Sequence, residues 1–285
     1  MPQPLVEQVA LTVMNLVIGF GLFWLGQFLY QRVFRRIALN EELFVRDNPA
    51  VAIALVGYYL GFVTALSGVL SQPMAGWLLQ VKTLASYGAL TIVLMLAGAW
   101  VGDRLILRHC DSAREIQQEQ NLGAAAVEAG LHIANGLILS TALAGPGGSW
   151  LVGLACWAMG MAVLVGMSYL YPWMASYNVF GEIRRRNNPA AGVALAGLLV
   201  ATGNVVGMAF SPEFQNWSVS LGEYGFLLGL GLLALVAIRW VADVVLVPGV
   251  KISDEIVHQS IPNVGAGLIE AFAYIAGSFL IAWSV

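Results

Sequence analysis

The sequence predicts an all-α, polytopic membrane protein: eight transmembrane helices, organised as four parallel two-helix repeats in a tandem duplication. Three observations carry this reading: a strongly apolar composition, basic residues confined to alternate connections, and a motif that recurs four times. Of the 285 residues, 59% are hydrophobic and 10% are charged, too few polar groups to cover a soluble domain of this length.

Eight apolar stretches are each long enough to cross ~30 Å of hydrocarbon at ~1.5 Å per helical residue. They run from Ala10 to Tyr30, Pro49 to Leu70, Leu84 to Val101, Gly123 to Ala144, Trp150 to Tyr171, Pro189 to Phe210, Gly225 to Leu246 and Val264 to Val285. The first follows a segment without Lys or Arg, unlike the basic leader of a cleavable signal peptide, so it counts as a span. Of 13 Lys and Arg residues, all but Lys82 fall in or beside four connections. These join spans 1 and 2 (Arg32, Arg35, Arg36, Arg46), 3 and 4 (Arg104, Arg108, Arg114), 5 and 6 (Arg184, Arg185, Arg186), and 7 and 8 (Arg239, Lys251). The positive-inside rule makes these connections cytoplasmic and puts both termini and the Ala144 to Ser149 loop outside. Cys110 and Cys156, the two cysteines, have no metal-ligand spacing and lie too differently along their spans for a disulfide.

The repeat sits in the basic connections. EELFVRDNPAVAIALVG (Glu41 to Gly57) and GEIRRRNNPAAGVALAG (Gly181 to Gly197) align on Asn48 and Asn188. They share Glu42 with Glu182, Arg46 with Arg186, and Gly57 with Gly197. REIQQEQNLGAAAVEAG (Arg114 to Gly130) and DEIVHQSIPNVGAGLIEAF (Asp254 to Phe272) align on Asn121 and Asn263 and share Glu128 with Glu270. Each quarter reads Glu, then Leu or Ile, a short polar stretch, Asn, and a small-residue helix; the fourth is two residues longer between Glu255 and Asn263. WVGD (Trp100 to Asp103) returns as WVAD (Trp240 to Asp243). The chain thus divides into a first half, 1–145, and a second, 146–285. All quarters enter the membrane from one side, so the repeats are parallel, related by an axis along the membrane normal.

The DNPAVAIALVG and NNPAAGVALAG segments resemble the bacterial membrane family of domain of unknown function 350, whose members carry copies of a two-span unit. The even quarters depart from its pattern, with Asn-Leu or Asn-Val for Asn-Pro and an added Glu. The resemblance covers essentially the whole chain and implies a bacterial inner-membrane location, multi-pass, without supplying a mechanism.

Asn is a favoured N-cap and Pro a favoured first helical residue, so Asn48, Asn121, Asn188 and Asn263 are helix starts at one depth. The small-residue helices are expected at the centre, where backbones approach closely, with the Leu-, Phe- and Trp-rich odd spans outside. Glu128 and Glu270 each lie seven residues past their Asn, roughly 10 Å into the helix. Ionisable groups at that depth mark function by default. Asn121, Glu128, His132 and Asn135 share one helix face; Asn263, Glu270, Tyr274 and Gly277 form the weaker counterpart. Asp103 and Asp243 end their spans beside these helices.

The ion or proton pathway candidates are therefore Glu128, His132, Glu270, Asn135, Asp103 and Asp243, with the two carboxylates either proton-coupling groups or a cation constriction around one axis. Glu42, Glu115, Glu182 and Glu255 belong to short interfacial helices, and SARE (Ser112 to Glu115) fits a capping box. The functional expectation is small-ion or proton-linked permeation. The alternative is a non-transporting accessory or scaffold subunit. A membrane-embedded lipid enzyme is disfavoured, since HExxH and GxSxG are absent. Expected partners are the lipid bilayer, a small cation or proton, and a second copy or membrane partner subunit. No enzyme activity, nucleic acid, cofactor or metal is expected.

Overall fold

The computed structural model describes residues 5–34, 39–70, 76–108, 111–144, 149–211 and 213–285. Arg35, Arg36, His109, Cys110 and most of the Ala144 to Ser149 loop lie outside the described residues. The described residues contain eight helices long and apolar enough to cross a membrane. The spanning helices are α1 (Leu5–Phe34), α3 (Pro49–Leu70), α4 (Trp77–Val101), α6 (Leu122–Ala142), α7 (Trp150–Ala175), α9 (Pro189–Ala209), α10 (Trp217–Val245) and α12 (Val264–Ser284). Before each even span lies one short helix: α2 (Leu39–Phe44), α5 (Ser112–Gln117), α8 (Val179–Arg186) and α11 (Ile252–Val257). A π turn, Gly102–Ile106, prolongs α4. The protein is thus an all-helical, multi-pass membrane protein built from four two-span units.

Each even span starts as its Asn dictates. The side-chain oxygens of Asn48, Asn121, Asn188 and Asn263 accept from the backbone N–H three residues on, at 3.0 to 3.2 Å. Each Asn amide also donates to the Glu of its own quarter: Asn48 to Glu42, Asn121 to Glu115, Asn188 to Glu182 and Asn263 to Glu255. The same amide then reaches the next quarter. Asn48 donates to the Ile116 carbonyl at 3.1 Å, Asn121 to Ile183 at 2.8 Å and Asn188 to Ile256 at 2.8 Å. Asn263, in the fourth quarter, is exposed.

The loop before the cap follows the same rule. Asp47, Gln120 and Asn187, which immediately precede an Asn cap, adopt positive φ of 49°, 51° and 47°. In the fourth quarter that position is Pro262, whose ring holds φ near −65°. The proposed Ser112 cap is corrected by one residue: Asp111 caps α5, accepting from Arg114 N at 3.2 Å. Ser112 turns its hydroxyl to Asp103 instead.

The even spans are central, but in a row: α3 packs on α6, α6 on α9 and α9 on α12, these being the most extensive helix contacts. The row is open, with α3 and α12 at its ends. Small residues set the spacing. A Cβ at Gly57 would strike the Ala129 backbone, and one at Gly197 would strike the matching Ala271 backbone. The outer helices α4, α7 and α10 each bridge two central helices, their own and that of the preceding quarter. Consistent with this layering, 83% of the apolar window of α6 is buried, against 11% in α1.

Candidate functional site

Glu128 and Glu270 sit in two buried clusters, one in each half. Glu128, 4% exposed, accepts a hydrogen bond at Oε1 from the Tyr30 hydroxyl of α1 at 2.7 Å. His132, one turn on and 1% exposed, has Nε2 3.5 Å from the same oxygen and 3.2 Å from the Tyr30 hydroxyl. Tyr30 stacks on Tyr58 of α3 at 4.0 Å, and both rings meet the His132 ring edge-on. A small cavity of about 20 Å³ adjoins the cluster, lined by Asp103, Ser112, Glu128 and His132 among others. Asp103 lies in the π turn, a helix irregularity frequent at functional sites. It accepts from Ser112 at 2.7 Å.

The second half repeats the tyrosine–glutamate bond. Tyr171 of α7 donates to Glu270 Oε1 at 2.8 Å, and Glu270 is fully buried. Here the cation is Arg239 of α10, 7% exposed, with Nε 2.9 Å from Glu270 Oε1. The approach is off line for a hydrogen bond, so this is a charge contact. Arg239 Nη1 pairs with Asp243 at 3.0 Å and Nη2 donates to Ser253 at 2.7 Å. Ser253 in turn donates to the Ala175 carbonyl. Asp243 also accepts from the Ile252 backbone at 3.1 Å, which ties α10 to α11. Glu270 Oε2 and the Tyr274 hydroxyl are buried without a hydrogen-bond partner among the described residues. A cavity of about 490 Å³ opens beside Arg239, lined also by Tyr177, Asp243, Lys251, Asp254 and His258. Burial and the nearby Glu270 push the Tyr177 phenol above its ordinary range, so it stays neutral.

Both cavities border the short helices, so both lie at the end of the bundle that bears the Asn caps. The carboxylates do not meet around one axis. Glu128 is on α6 and Glu270 on α12, and α9 stands between these two helices in the row. His132 and Asp103 join Glu128, and Asp243 joins Glu270 through Arg239. Asn135 is held apart from them. Its amide donates to the Leu94 carbonyl at 3.3 Å and its oxygen accepts from Trp157 at 2.9 Å, which joins α4, α6 and α7.

Sequence reasoning missed Tyr30, Tyr171 and the role of Arg239, which counted only as a topological charge. A signal existed for each: the Leu-Tyr pair at Leu29 and Tyr30 recurs at Leu170 and Tyr171, and Arg239 replaces Ala99 just before the repeated Trp-Val motif. Among the described residues, no three of His, Cys, Asp and Glu converge as metal ligands do.

The model of a family described as Domain of Unknown Function (DUF350) matches the chain twice, over residues 4–143 and 148–285. No curated protein and no solved structure matches the chain.

Proposed function

The chain belongs to the DUF350 family, with two copies of its unit in tandem, and we propose that it moves protons or small cations across a bacterial inner membrane, using Glu128 and Glu270. The carrying observation is the buried Tyr–Glu pair, Tyr30 with Glu128 and Tyr171 with Glu270, beside a cavity in each half. Packing alone does not call for these acids. Seven residues past Asn48 and Asn188 the other two quarters carry Leu55 and Leu195, both buried. A carboxylate in an apolar bundle is costly and is retained where ions or protons are handled. On this reading the basic connections face the cytoplasm and the two cavities open there. The activity is permeation, not catalysis.

The test is flux in liposomes against protons, Na⁺ and K⁺. Wild type should exceed empty liposomes. Flux should fall at least tenfold in folded Glu128→Gln, and also in Glu270→Gln, which leaves Arg239 with Asp243 as its carboxylate partner. Unchanged flux in both variants would sink the reading. The continuous backbone packing of α3, α6, α9 and α12 favours a second reading, an accessory subunit that packs on a partner or second copy. Silent flux together with purification as a stable complex would select it.

A further inference from the structure

We infer that Val56 and Val63 of α3 and Phe272 of α12 end the row of central helices at four, leaving its two end faces to lipid chains and preventing copies of the protein from joining head to tail. These residues line neither carboxylate cavity, so their role holds whether or not the protein conducts ions. The three joints of the row share one pattern. Counting from each Asn cap, the ninth residue on is Gly57, Gly130 and Gly197 in the first three quarters. Each faces the eighth residue of the next quarter, Ala129, Ala196 or Ala271, and an added Cβ would strike that residue's backbone. The fifteenth residue does the same from the other side: a Cβ on Gly136 would strike Gly61, and one on Gly203 would strike Ala134, each in the preceding quarter. The step of seven keeps the eighth and fifteenth residues on one helix face.

The pattern breaks on the two faces that end the row. On α3 the eighth and fifteenth residues are Val56 and Val63, where the other quarters carry Ala129, Ala196 and Ala271, and Gly136, Gly203 and Ser278. On α12 the ninth residue is Phe272 in place of Gly. All three are exposed, at 52%, 56% and 61%. The bulk follows the face and not the helix: the covered faces keep Gly57 and Gly61 on α3, and Ala271 and Ser278 on α12. A Phe or Val at these positions excludes the backbone contact on which helix association in lipid depends. The joint is heterologous, and a heterologous joint repeated between copies builds rings or filaments. Lipid is the occupant that the faces fit. Val63 lines a groove of about 380 Å³ between α1 and α3, with Phe20, Phe23, Leu66 and Leu70. The polar residues beside it are engaged within the protein: Gln80 donates to Asn15 at 2.8 Å, and Thr12 donates to the Gln8 carbonyl at 2.9 Å. What remains is an apolar surface for acyl chains.

The test is cross-linking between copies of the whole protein in liposomes. Ala52 and Gly265 occupy the positions at which Gly192 meets Gly123 and Gly267 meets Ala190 in the internal joints. Ala52→Cys on one chain and Gly265→Cys on another therefore report a head-to-tail joint through a short bismaleimide, with Cys110→Ser in both to remove a competing thiol. With the native end faces, linked pairs should stay at the level of chains without the reporter cysteines. Val56→Ala and Val63→Ser on the first chain, mixed with Phe272→Gly on the second, should raise the yield about tenfold or more. Opening one face alone should leave it at the native level. The substituted side chains are exposed, so each variant should keep the thermal unfolding of its parent. Linked pairs as abundant from native faces as from opened ones would make a second copy, not lipid, the occupant and overturn the proposal. An unchanged yield when both faces are opened in folded chains overturns it as well, because Val56, Val63 and Phe272 would then not be what stops the row.

Discussion

Arg239 carries the charge balance of the second half, holding two carboxylates, Glu270 and Asp243, from a side chain 7% exposed. Removing one partner of a buried pair leaves the other charge desolvated and uncompensated, which costs about 3–5 kcal/mol. Arg239→Ala should therefore destabilise the protein by about that amount in denaturant unfolding in micelles. Adding Glu270→Gln removes the stranded charge and should restore most of the loss. If the double variant stays as unstable as the single, Arg239 acts through Ser253 and Asp243 rather than through Glu270. At this scale the sequence was legible where a residue is out of place. A carboxylate seven residues into an apolar helix is conspicuous, and Glu128 and Glu270 stood out for that reason. Tyr30 and Tyr171 did not, because tyrosine near a membrane boundary is ordinary. Their meaning comes from which helix lies opposite, a fact of tertiary structure.

The elements were legible wherever their causes are local. Asn caps, Pro at the first helical position and small-residue runs define the even spans, and α3, α6, α9 and α12 begin one residue after Asn48, Asn121, Asn188 and Asn263. The longer odd helices exceeded the hydropathy limits: α4 begins at Trp77, not Leu84, and keeps Gln80 inside the helix, bonded to Asn15 of α1. Neighbour order was not legible, because four equivalent helices can close a ring or lie in a row. The row matches the amides of Asn48, Asn121 and Asn188, each of which reaches the quarter after its own. Backbone contact along that row makes the glycines unequal. Gly197 meets the Ala271 backbone, whereas Gly222 in α10 has nothing within 4 Å of an added Cβ. Gly197→Val should cost about 1–3 kcal/mol or more through overpacking, while Gly222→Val should stay within about 0.5 kcal/mol. Equal effects in thermal unfolding would mean that α9 and α12 can separate without penalty.

At the scale of the whole molecule, the joint between the halves differs from the joints within them. Within each half, a buried Glu and a Tyr from the preceding quarter bridge the helices. Between the halves, the matching residue of α9 is Leu195, and the joint is made of small apolar contacts, Gly130 against Ala196 and Gly123 against Gly192. Hydrogen bonds also cross it, from the Asn121 amide to Ile183, from Trp157 to Asn135 and from the Tyr169 hydroxyl to the Leu105 carbonyl. The α6–α9 contact is nonetheless among the most extensive in the protein, so packing, not the Ala144 to Ser149 connection, should hold the halves together. In membranes such association depends on close backbone approach, since lipid is as apolar as the helix surface. Residues 1–144 and 149–285, produced as two chains in one cell, should therefore co-purify in equal amounts. Gly130→Leu on the first chain wedges α6 from α9 and should abolish recovery of the second, while Gly222→Leu on the second should leave it intact. Failure of the unsubstituted halves to associate would mean that the connection, and not the small-residue seam, joins them.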